Sequence, residues 1–297
     1  MGEKMKGKWV LIILGILAVF AIVSIAGNAK TIYVGPSEKY TSIQSAIDNA
    51  TDGDTIIVRD GVYYENIKVT KERLTIKSEN GSDNCIIDGG DRNRGNVITL
   101  KADGITIEGF TVRKSGRGSG FAGIKVLSNS NNIRYNNISN NGGNGIFLYA
   151  SSSNNITHNH ISNNYIDGIN LFESSNNAIA FNSISNNDGD GMWLDASSNN
   201  KITYNNISNN GNGILLVFSY SNSIRRNNFI DNGWRWQVIF FDSFWNHWIR
   251  NYWDDWRIPL PRPILGIITI SGSPVGFSAI PWVNFDWFPA IRPYSIE

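Results

Sequence analysis

The segment NGIFLYASSSNNITHNHISNN, residues 144–164, is followed by DGINLFESSNNAIAFNSISNN, residues 167–187, and the two align without a gap at an offset of 23. Pairs of Gly with Ile or Met recur on both sides of this stretch at intervals of 22, 23, 23 and 22 residues. The glycines of these pairs are Gly123, Gly145, Gly168, Gly191 and Gly213. A period of this length indicates a solenoid of stacked supersecondary units.

Two further apolar positions repeat with nearly the same step. One column holds Ile133, Ile156, Ile179, Ile202 and Ile224, and the other holds Ile138, Ile161, Ile184, Ile207 and Phe229. Each repeat consists of short β-branched segments broken by Asn and Gly, so no repeat can bury an apolar face by itself. We therefore predict an all-β, single-stranded parallel β-helix with 22–23 residues per coil, where a coil is one full turn of the solenoid.

Asparagine occupies two columns of its own. The first is Asn136, Asn159, Asn182, Asn205 and Asn227, and the second is Asn140, Asn163, Asn186, Asn209 and Asp231. Stacked parallel strands place equivalent side chains about 4.8 Å apart, which lets amides hydrogen-bond in ladders, and Asn tolerates left-handed corners. We predict that these asparagines are structural.

The ends of the chain differ from the repeats in composition. Trp9 to Ala26 is an uncharged apolar run preceded by lysines, long enough as a helix to span about 27 Å. It predicts a signal anchor or, with cleavage after Ala29, a signal peptide in residues 1–29, and the preceding charge places residues 30–297 outside the cytoplasm. Residues 30–232 are assigned to the β-helix, and residues 233–297, which hold eight of ten tryptophans and seven of eight prolines, to a C-terminal cap.

Both predicted caps have a physical purpose. Ile43, Ala46, Ile47 and Ala50 share one face of a short helix that could close the first coil. The proline-rich tail cannot supply a central strand, because proline lacks the backbone donor, so we expect extended chain that wraps the end or a side. Contact with the bilayer surface or with an envelope partner is the alternative for this tail.

Overall charge and cysteine content narrow the choice of function. The 26 basic and 25 acidic residues nearly balance, so no net field favours nucleic acid. Cys85 is the only cysteine, which excludes an intrachain disulfide. Partners must therefore be inferred from local features of the surface.

The segment IQSAIDNATDGDTIIVRDGVYYE, residues 43–65, resembles the N-terminal cap of pectin-lyase-like right-handed β-helices. The NGI and ISNN repeats and NYWDDW at residues 251–256 resemble the periplasmic copper-binding NosD-type β-helix family and archaeal surface proteins of this type. The resemblance implies a right-handed solenoid. It transfers no activity, because the catalytic motifs of polygalacturonases, alginate epimerases and pectate lyases are absent from the sequence.

Asp167 and Asp190 replace Asn in adjacent coils, and we expect them to stack. Repulsion between the two would raise one pKa, and such a pair could act as general acid and base or hold Ca²⁺. The alternative, which we favour, is that Asp merely substitutes for Asn at a corner. The weak catalytic candidates are Asp167, Asp190 and Asp195.

Strand alternation predicts an outward surface of aromatic and acidic side chains beside this pair. Aromatic rings next to carboxylates suit a sugar, whose apolar face packs on a ring. The alternative is that the C-terminal tail or another chain covers this surface. The predicted ligand-binding residues are Phe147, Tyr149, Phe172, Glu173, Trp193 and Asp195.

Histidines are scarce in the chain. His158 and His160, at i and i+2, are expected to share one side of a strand and are weak metal candidates, whereas His247 is remote. Without a Met-rich or Cys-His cluster, a surface pair is favoured over a copper site. No cofactor is expected, with Ca²⁺ as the least improbable ion.

Three functions are compatible with these patterns. The favoured one is a non-catalytic cell-surface module that binds an envelope glycan or a surface protein. The others are a polysaccharide lyase, hydrolase or epimerase, and a NosD-like accessory factor in copper-enzyme maturation.

Overall fold

A computed structural model of the protein describes residues 29–90, 95–233, 236–273 and 276–296. The chain divides into a unit of residues 1–30 and a unit of residues 31–297, and every element given below belongs to the second unit. The predicted anchor, Trp9 to Ala26, lies outside the described residues. Within them, no helix has the length and apolarity needed to cross a membrane.

The described residues form one helix, α1 (Ile43–Asn49), and 29 strands. The first fifteen strands are β1 (Thr31–Val34), β2 (Thr55–Val58), β3 (Gly61–Tyr63), β4 (Ile67–Val69), β5 (Thr75–Ser78), β6 (Cys85–Asp88), β7 (Ile98–Leu100), β8 (Thr106–Glu108), β9 (Thr111–Arg113), β10 (Ala122–Val126), β11 (Asn132–Arg134), β12 (Asn137–Ser139), β13 (Asn144–Tyr149), β14 (Asn155–Thr157) and β15 (His160–Ser162). The others are β16 (Ile169–Phe172), β17 (Ala178–Ala180), β18 (Ser183–Ser185), β19 (Met192–Asp195), β20 (Lys201–Thr203), β21 (Asn206–Ser208), β22 (Ile214–Val217), β23 (Ser223–Arg225), β24 (Asn228–Ile230), β25 (Val238–Phe241), β26 (His247–Ile249), β27 (Tyr252–Trp253), β28 (Arg262–Ser273) and β29 (Gly276–Asp286).

These strands stack in three parallel ladders that form the faces of a solenoid of about ten coils. The first ladder runs from β4 through β7, β10, β13, β16, β19 and β22 to β25. The second starts with β1 and β2 and continues with β5 and every third strand after it up to β26. The third contains every third strand from β3 to β27. The predicted apolar columns are confirmed, since Ile133 pairs with Ile156 and Ile156 with Ile179 in register. The parallel β-solenoid is therefore the fold that the repeat predicted.

The glycine column is explained by the close approach of neighbouring coils. A Cβ atom on Gly168 would lie 2.7 Å from the carbonyl oxygen of Gly191 and 2.5 Å from a methyl carbon of Ile184. No real Cβ contact is that short, so a side chain at this position would force the coils apart. The column marks a packing constraint between coils.

The first asparagine column forms a buried ladder that runs in one direction. Asn159 donates from its backbone N–H and from Nδ2 to Oδ1 of Asn182, both at 3.0 Å, and Asn182 donates in the same way to Asn205. The ladder ends at Asp286, whose carboxylate accepts from the backbone N–H and Nδ2 of Asn251. The second column adopts positive φ, for example 56° at Asn140. Both structural roles are confirmed.

Helix α1 closes the first coil, as predicted. Ile43, Ala46, Ile47 and Ala50 are buried. The side chain of Ser42 accepts a hydrogen bond from the N–H of Ser45, and Glu65 accepts from the first turn of the helix. The N-terminal backbone donors of the helix are thereby satisfied.

The C-terminal region differs from the expectation of extended chain that wraps the end or a side of the solenoid. Strands β25, β26 and β27 stack in parallel on the preceding coil, so the ladders continue past Asn232. Strands β28 and β29 then form an antiparallel hairpin that pairs in parallel with β25 and β26. The prolines do enter strands, which corrects the prediction for this tail.

The geometry of the hairpin shows why its prolines are tolerated. The carbonyl of Ile267 accepts from the N–H of Asp242, so the backbone groups of Ile267 point away from β29. Pro281 is paired with Ile267, and at that register its missing N–H also faces outward. The proline thus removes no hydrogen bond from the hairpin, in keeping with its preference for strand edges.

Candidate functional site

The outward side of the first ladder carries the predicted aromatic and acidic side chains in two columns. Phe147, Asn170, Trp193 and Leu215 pair in register along one, and Tyr149, Phe172, Asp195 and Val217 along the other. The residues between the two columns are buried, namely Leu148, Leu171, Leu194 and Leu216, and so are the residues before the first column, Ile146, Ile169, Met192 and Ile214. We call the partly exposed set of Tyr149, Phe172, Glu173, Trp193 and Asp195 the aromatic face.

The rings of the aromatic face lie close together. Tyr149 and Phe172 stack with their centroids 5.5 Å apart and an interplanar angle of 9°, and Tyr149 is 44% exposed. Phe147 differs from the others, because it is only 8% exposed. The ammonium group of Lys125 lies 4.7 Å from its ring centroid, and Tyr149 contacts the ring edge-on. Phe147 is therefore covered by these two side chains and is not open to a ligand.

Two carboxylates stand beside these rings. Burial and the neighbouring charge of Glu173 raise the pKa of Asp195. Among the described residues, the Nε1 atom of Trp193 is buried without a hydrogen-bond partner. The face thus combines apolar ring surface with acceptors for hydroxyl groups.

Asp167 and Asp190 do stack, but as members of a ladder and not as a pair facing a groove. The backbone N–H of Asp190 donates to Asp167 Oδ1 at 2.9 Å, and Asn212 donates to Asp190 in the same manner. Asp167 is 2% exposed and Asp190 8% exposed. A substrate cannot reach either carboxylate without opening the coils.

The pKa of Asp167 is raised to about 6, chiefly because burial disfavours its charged form, and the repulsion by Asp190 adds less. Burial likewise raises the pKa of Asp190. The expected repulsion by Asp190 does raise the pKa of Asp167, but burial is the larger cause.

The strand pairing of the C-terminal hairpin does not place it over the aromatic face. Strand β28 pairs with β25 through Gly266 and Ile267, at the end of the same ladder. It therefore extends the sheet along the solenoid axis. The side chains of residues 270–278 lie outside this description.

The two histidines do not share one strand. His158 lies at a corner with a φ of 55°, whereas His160 is the first residue of β15. The ring of His158 is stacked between Tyr135 and Phe181, with centroids 5.0 and 5.1 Å away. In the described part of the chain, no three His, Cys, Asp or Glu side chains group closely enough to hold a metal ion.

A cavity of about 730 Å³ lies at the corner that leads into the first ladder, where the insertion RKSGRGSGFA, residues 113–122, widens a coil. On one side of it, Arg113 and Lys114 form ion pairs with the buried carboxylate of Asp88 at 2.8 and 2.9 Å. On the other side, Arg117 lies over the ring of Tyr165. The insertion was visible in the sequence, but nothing in the pattern indicated that Asp88 would meet it.

Residues 95–246 match the protein family described as Right handed beta helix region. The chain belongs to this family. This family has the right-handed β-helix that we expected from the sequence.

One relative of this right-handed β-helix protein is a protein of the cell surface. The chain is 43% identical over 107 residues to a cell surface glycoprotein of Methanothermus fervidus. The match covers 35% of this chain and 17% of the glycoprotein, so the chain corresponds to a small part of that relative.

Solved structures share the β-helix fold at low sequence identity. Pectate lyase Pel9A superposes with a TM-score of 0.59 at 14% identity, covering 75% of this chain and 74% of that chain. The enzymatically active domain of tailspike protein 2 from bacteriophage CBA120 gives a TM-score of 0.52 at 17% identity, covering 76% of this chain and 40% of that one. These likenesses establish the fold alone.

Proposed function

We propose that this protein is a non-catalytic module of the cell surface that binds a glycan through the aromatic face. The observation that carries the proposal is the exposed Tyr149–Phe172 ring pair beside the carboxylates of Glu173 and Asp195. Sugar rings pack their apolar faces on aromatic side chains while their hydroxyl groups donate to carboxylates and amides.

Binding is favoured over catalysis by the state of the acidic residues. The carboxylate with the most clearly raised pKa, Asp167, is buried, and each of its two oxygens already accepts a hydrogen bond. A general acid has to come within hydrogen-bond reach of the substrate. Asp195 and Glu173 are accessible, but they neighbour each other on the surface, and neither is distinguished as a general acid.

A location at the cell surface is supported by the similarity to the Methanothermus glycoprotein and by the apolar run Trp9 to Ala26. Together they favour an extracytoplasmic β-helix, held at the membrane or released after cleavage. In that setting the ligand of the aromatic face would be a glycan of the envelope.

The proposal is tested by glycan-array and calorimetric binding of purified residues 30–297. We expect Tyr149→Ala and Phe172→Ala to weaken glycan binding at least tenfold, because each removes one ring of the stacked pair. The matched control is Tyr135→Ala, which removes an exposed ring, 52% accessible, from the separate stack around His158.

Three results would contradict the proposal. They are an absence of binding across a broad array, equal losses in Tyr149→Ala and Tyr135→Ala, and the appearance of shortened or unsaturated sugar products. The last of these would identify an enzyme.

A further inference from the structure

We infer that the glycan site is longer than the aromatic face, that it runs along the solenoid axis to a second aromatic platform, and that it selects uncharged linear chains over acidic ones. This inference rests on the proposed function and specifies the ligand of that site. The second platform consists of Tyr220, Phe244 and Trp245, which lie in the turns after β22 and β25.

The platform is built of neighbouring rings, of which Trp245 is exposed and Tyr220 and Phe244 are partly exposed. Tyr220 and Phe244 stack with their centroids 6.0 Å apart, and Trp245 lies 6.3 Å from Tyr220 and 6.1 Å from Phe244. Trp245 is 74% exposed, more than any other tryptophan whose burial the structure describes. An indole so exposed has no role in the core, and exposed clustered rings mark binding surfaces.

The platform and the aromatic face lie on the same border of the solenoid. Tyr149, Phe172 and Asp195 are the last residues of their strands, and the turns that follow those strands occupy the positions that Tyr220 and Phe244 take in later coils. The N–H of Tyr220 donates to the hydroxyl of Ser198 in the preceding coil, so Tyr220 stacks on Ser198, three residues beyond Asp195 and past the left-handed corner at Ala196. The two aromatic surfaces therefore lie in adjacent columns at one corner of the solenoid, and we call these two columns together the row.

The length of the row sets the size of its ligand. From β13 to β25 there are four strand steps, which span roughly 19 Å at the spacing of neighbouring strands. A disaccharide is too short to contact Tyr149 and Trp245 together. A linear oligosaccharide aligned with the axis can contact both, with Glu173 and Asp195 beside its middle units.

The charge along the row selects against acidic glycans. Strands β13, β16, β19, β22 and β25, with the first four residues after each, contain three carboxylates, Glu173, Asp195 and Asp242, and no lysine or arginine. Lys125 of the preceding strand β10 stands at one end, beside Tyr149. A chain of carboxylated sugars would place its charges against Glu173 and Asp195, and like charges brought together lower affinity.

The test measures affinity against chain length with defined probes. Cello-, manno- and N-acetylchito-oligosaccharides of two to six units are titrated into the protein, beside oligogalacturonates of equal length. For at least one uncharged series, affinity should rise up to about the length of the row, and oligogalacturonates should bind at least tenfold more weakly. Trp245→Ala should weaken the six-unit probe about tenfold and leave the two-unit probe unchanged.

Further variants separate this inference from the proposed function. The double variant Glu173→Gln, Asp195→Asn should reduce the difference in affinity between uncharged probes and oligogalacturonates. The control for Trp245→Ala is His247→Ala, which removes an exposed ring on another face. Short probes that bind through Tyr149, without a gain in affinity on lengthening and without an effect of Trp245, would overturn the inference and leave the proposed function standing. Failure of every probe to bind would overturn the inference, and the same failure across the glycan array would overturn the proposed function as well.

Discussion

Replacing Asn182 by alanine is expected to lower the free energy of unfolding by about 3–5 kcal/mol, because several buried hydrogen bonds lose a partner at once. The side chain is 0% exposed and accepts from the backbone N–H and Nδ2 of Asn159. It also donates to the carbonyl of Ile156 at 2.8 Å. The alanine variant leaves the Asn159 N–H and the Ile156 carbonyl without that partner in a site that water cannot enter.

Chemical denaturation of the wild type, of Asn182→Ala and of Asn155→Ala checks this prediction. Asn155 belongs to the same repeat, but it is exposed, and within the described part of the chain its side chain donates only to Asn132, at 3.5 Å. The control should therefore lose less than about 0.5 kcal/mol. Equal losses in the two variants would mean that burial in the ladder adds nothing to the stability of the fold.

Replacing Asp167 by asparagine is expected to stabilise the protein by on the order of 2–3 kcal/mol above pH 7, and to change its stability little near pH 4. Burial raises the pKa of Asp167 to about 6 in the folded chain, from an ordinary value of 3.8. The folded state therefore binds the proton more tightly than the unfolded state does. The stability that this proton contributes is complete below pH 3.8 and is lost as the pH rises through 6.

Asparagine avoids this loss because it carries no charge at any pH, and its Oδ1 can still accept from the N–H of Asp190. The measurement is the free energy of unfolding at pH 4 and pH 7.5 for the wild type and the variant. Asp188→Asn, at an exposed position two residues before Asp190, is the matched control and should change the free energy of unfolding by less than about 0.5 kcal/mol. A stabilisation by Asp167→Asn of equal size at both pH values would rule out ionisation as its cause.

The regular part of the fold was predictable because every repeat carries the same pattern of apolar and asparagine positions. Columns such as Ile133 and Ile156 gave the register directly, since a shift by one residue would turn the isoleucines toward water. The positions of Asn136 and Asn140 within the repeat likewise predicted a buried ladder and a left-handed corner. The outward direction of Tyr149 and Trp193 followed from alternation alone.

What the sequence did not predict arises where chain segments distant in sequence meet. Two more asparagine ladders, through Asn154 and Asn164, were not distinguished from the other asparagines of the repeat. The burial of Phe147 depends on Lys125, whose side chain lies over it from the preceding coil. The hairpin of β28 and β29 was missed because proline was read as a barrier to a central strand, although a position whose backbone N–H would face outward accommodates it.

Because Asp286 supplies the last acceptor of the asparagine ladder, the ladder does not fix the number of coils. Every amide in the ladder requires only an identical neighbour, and the acceptor for the last one is supplied once, by the carboxylate that the N–H of Arg250 and Nε1 of Trp253 also contact. Coils can therefore be duplicated or deleted by recombination between repeats without redesign of either end. The number of repeats in the gene then sets the length of the binding row and the length of the glycan chain that the row can contact.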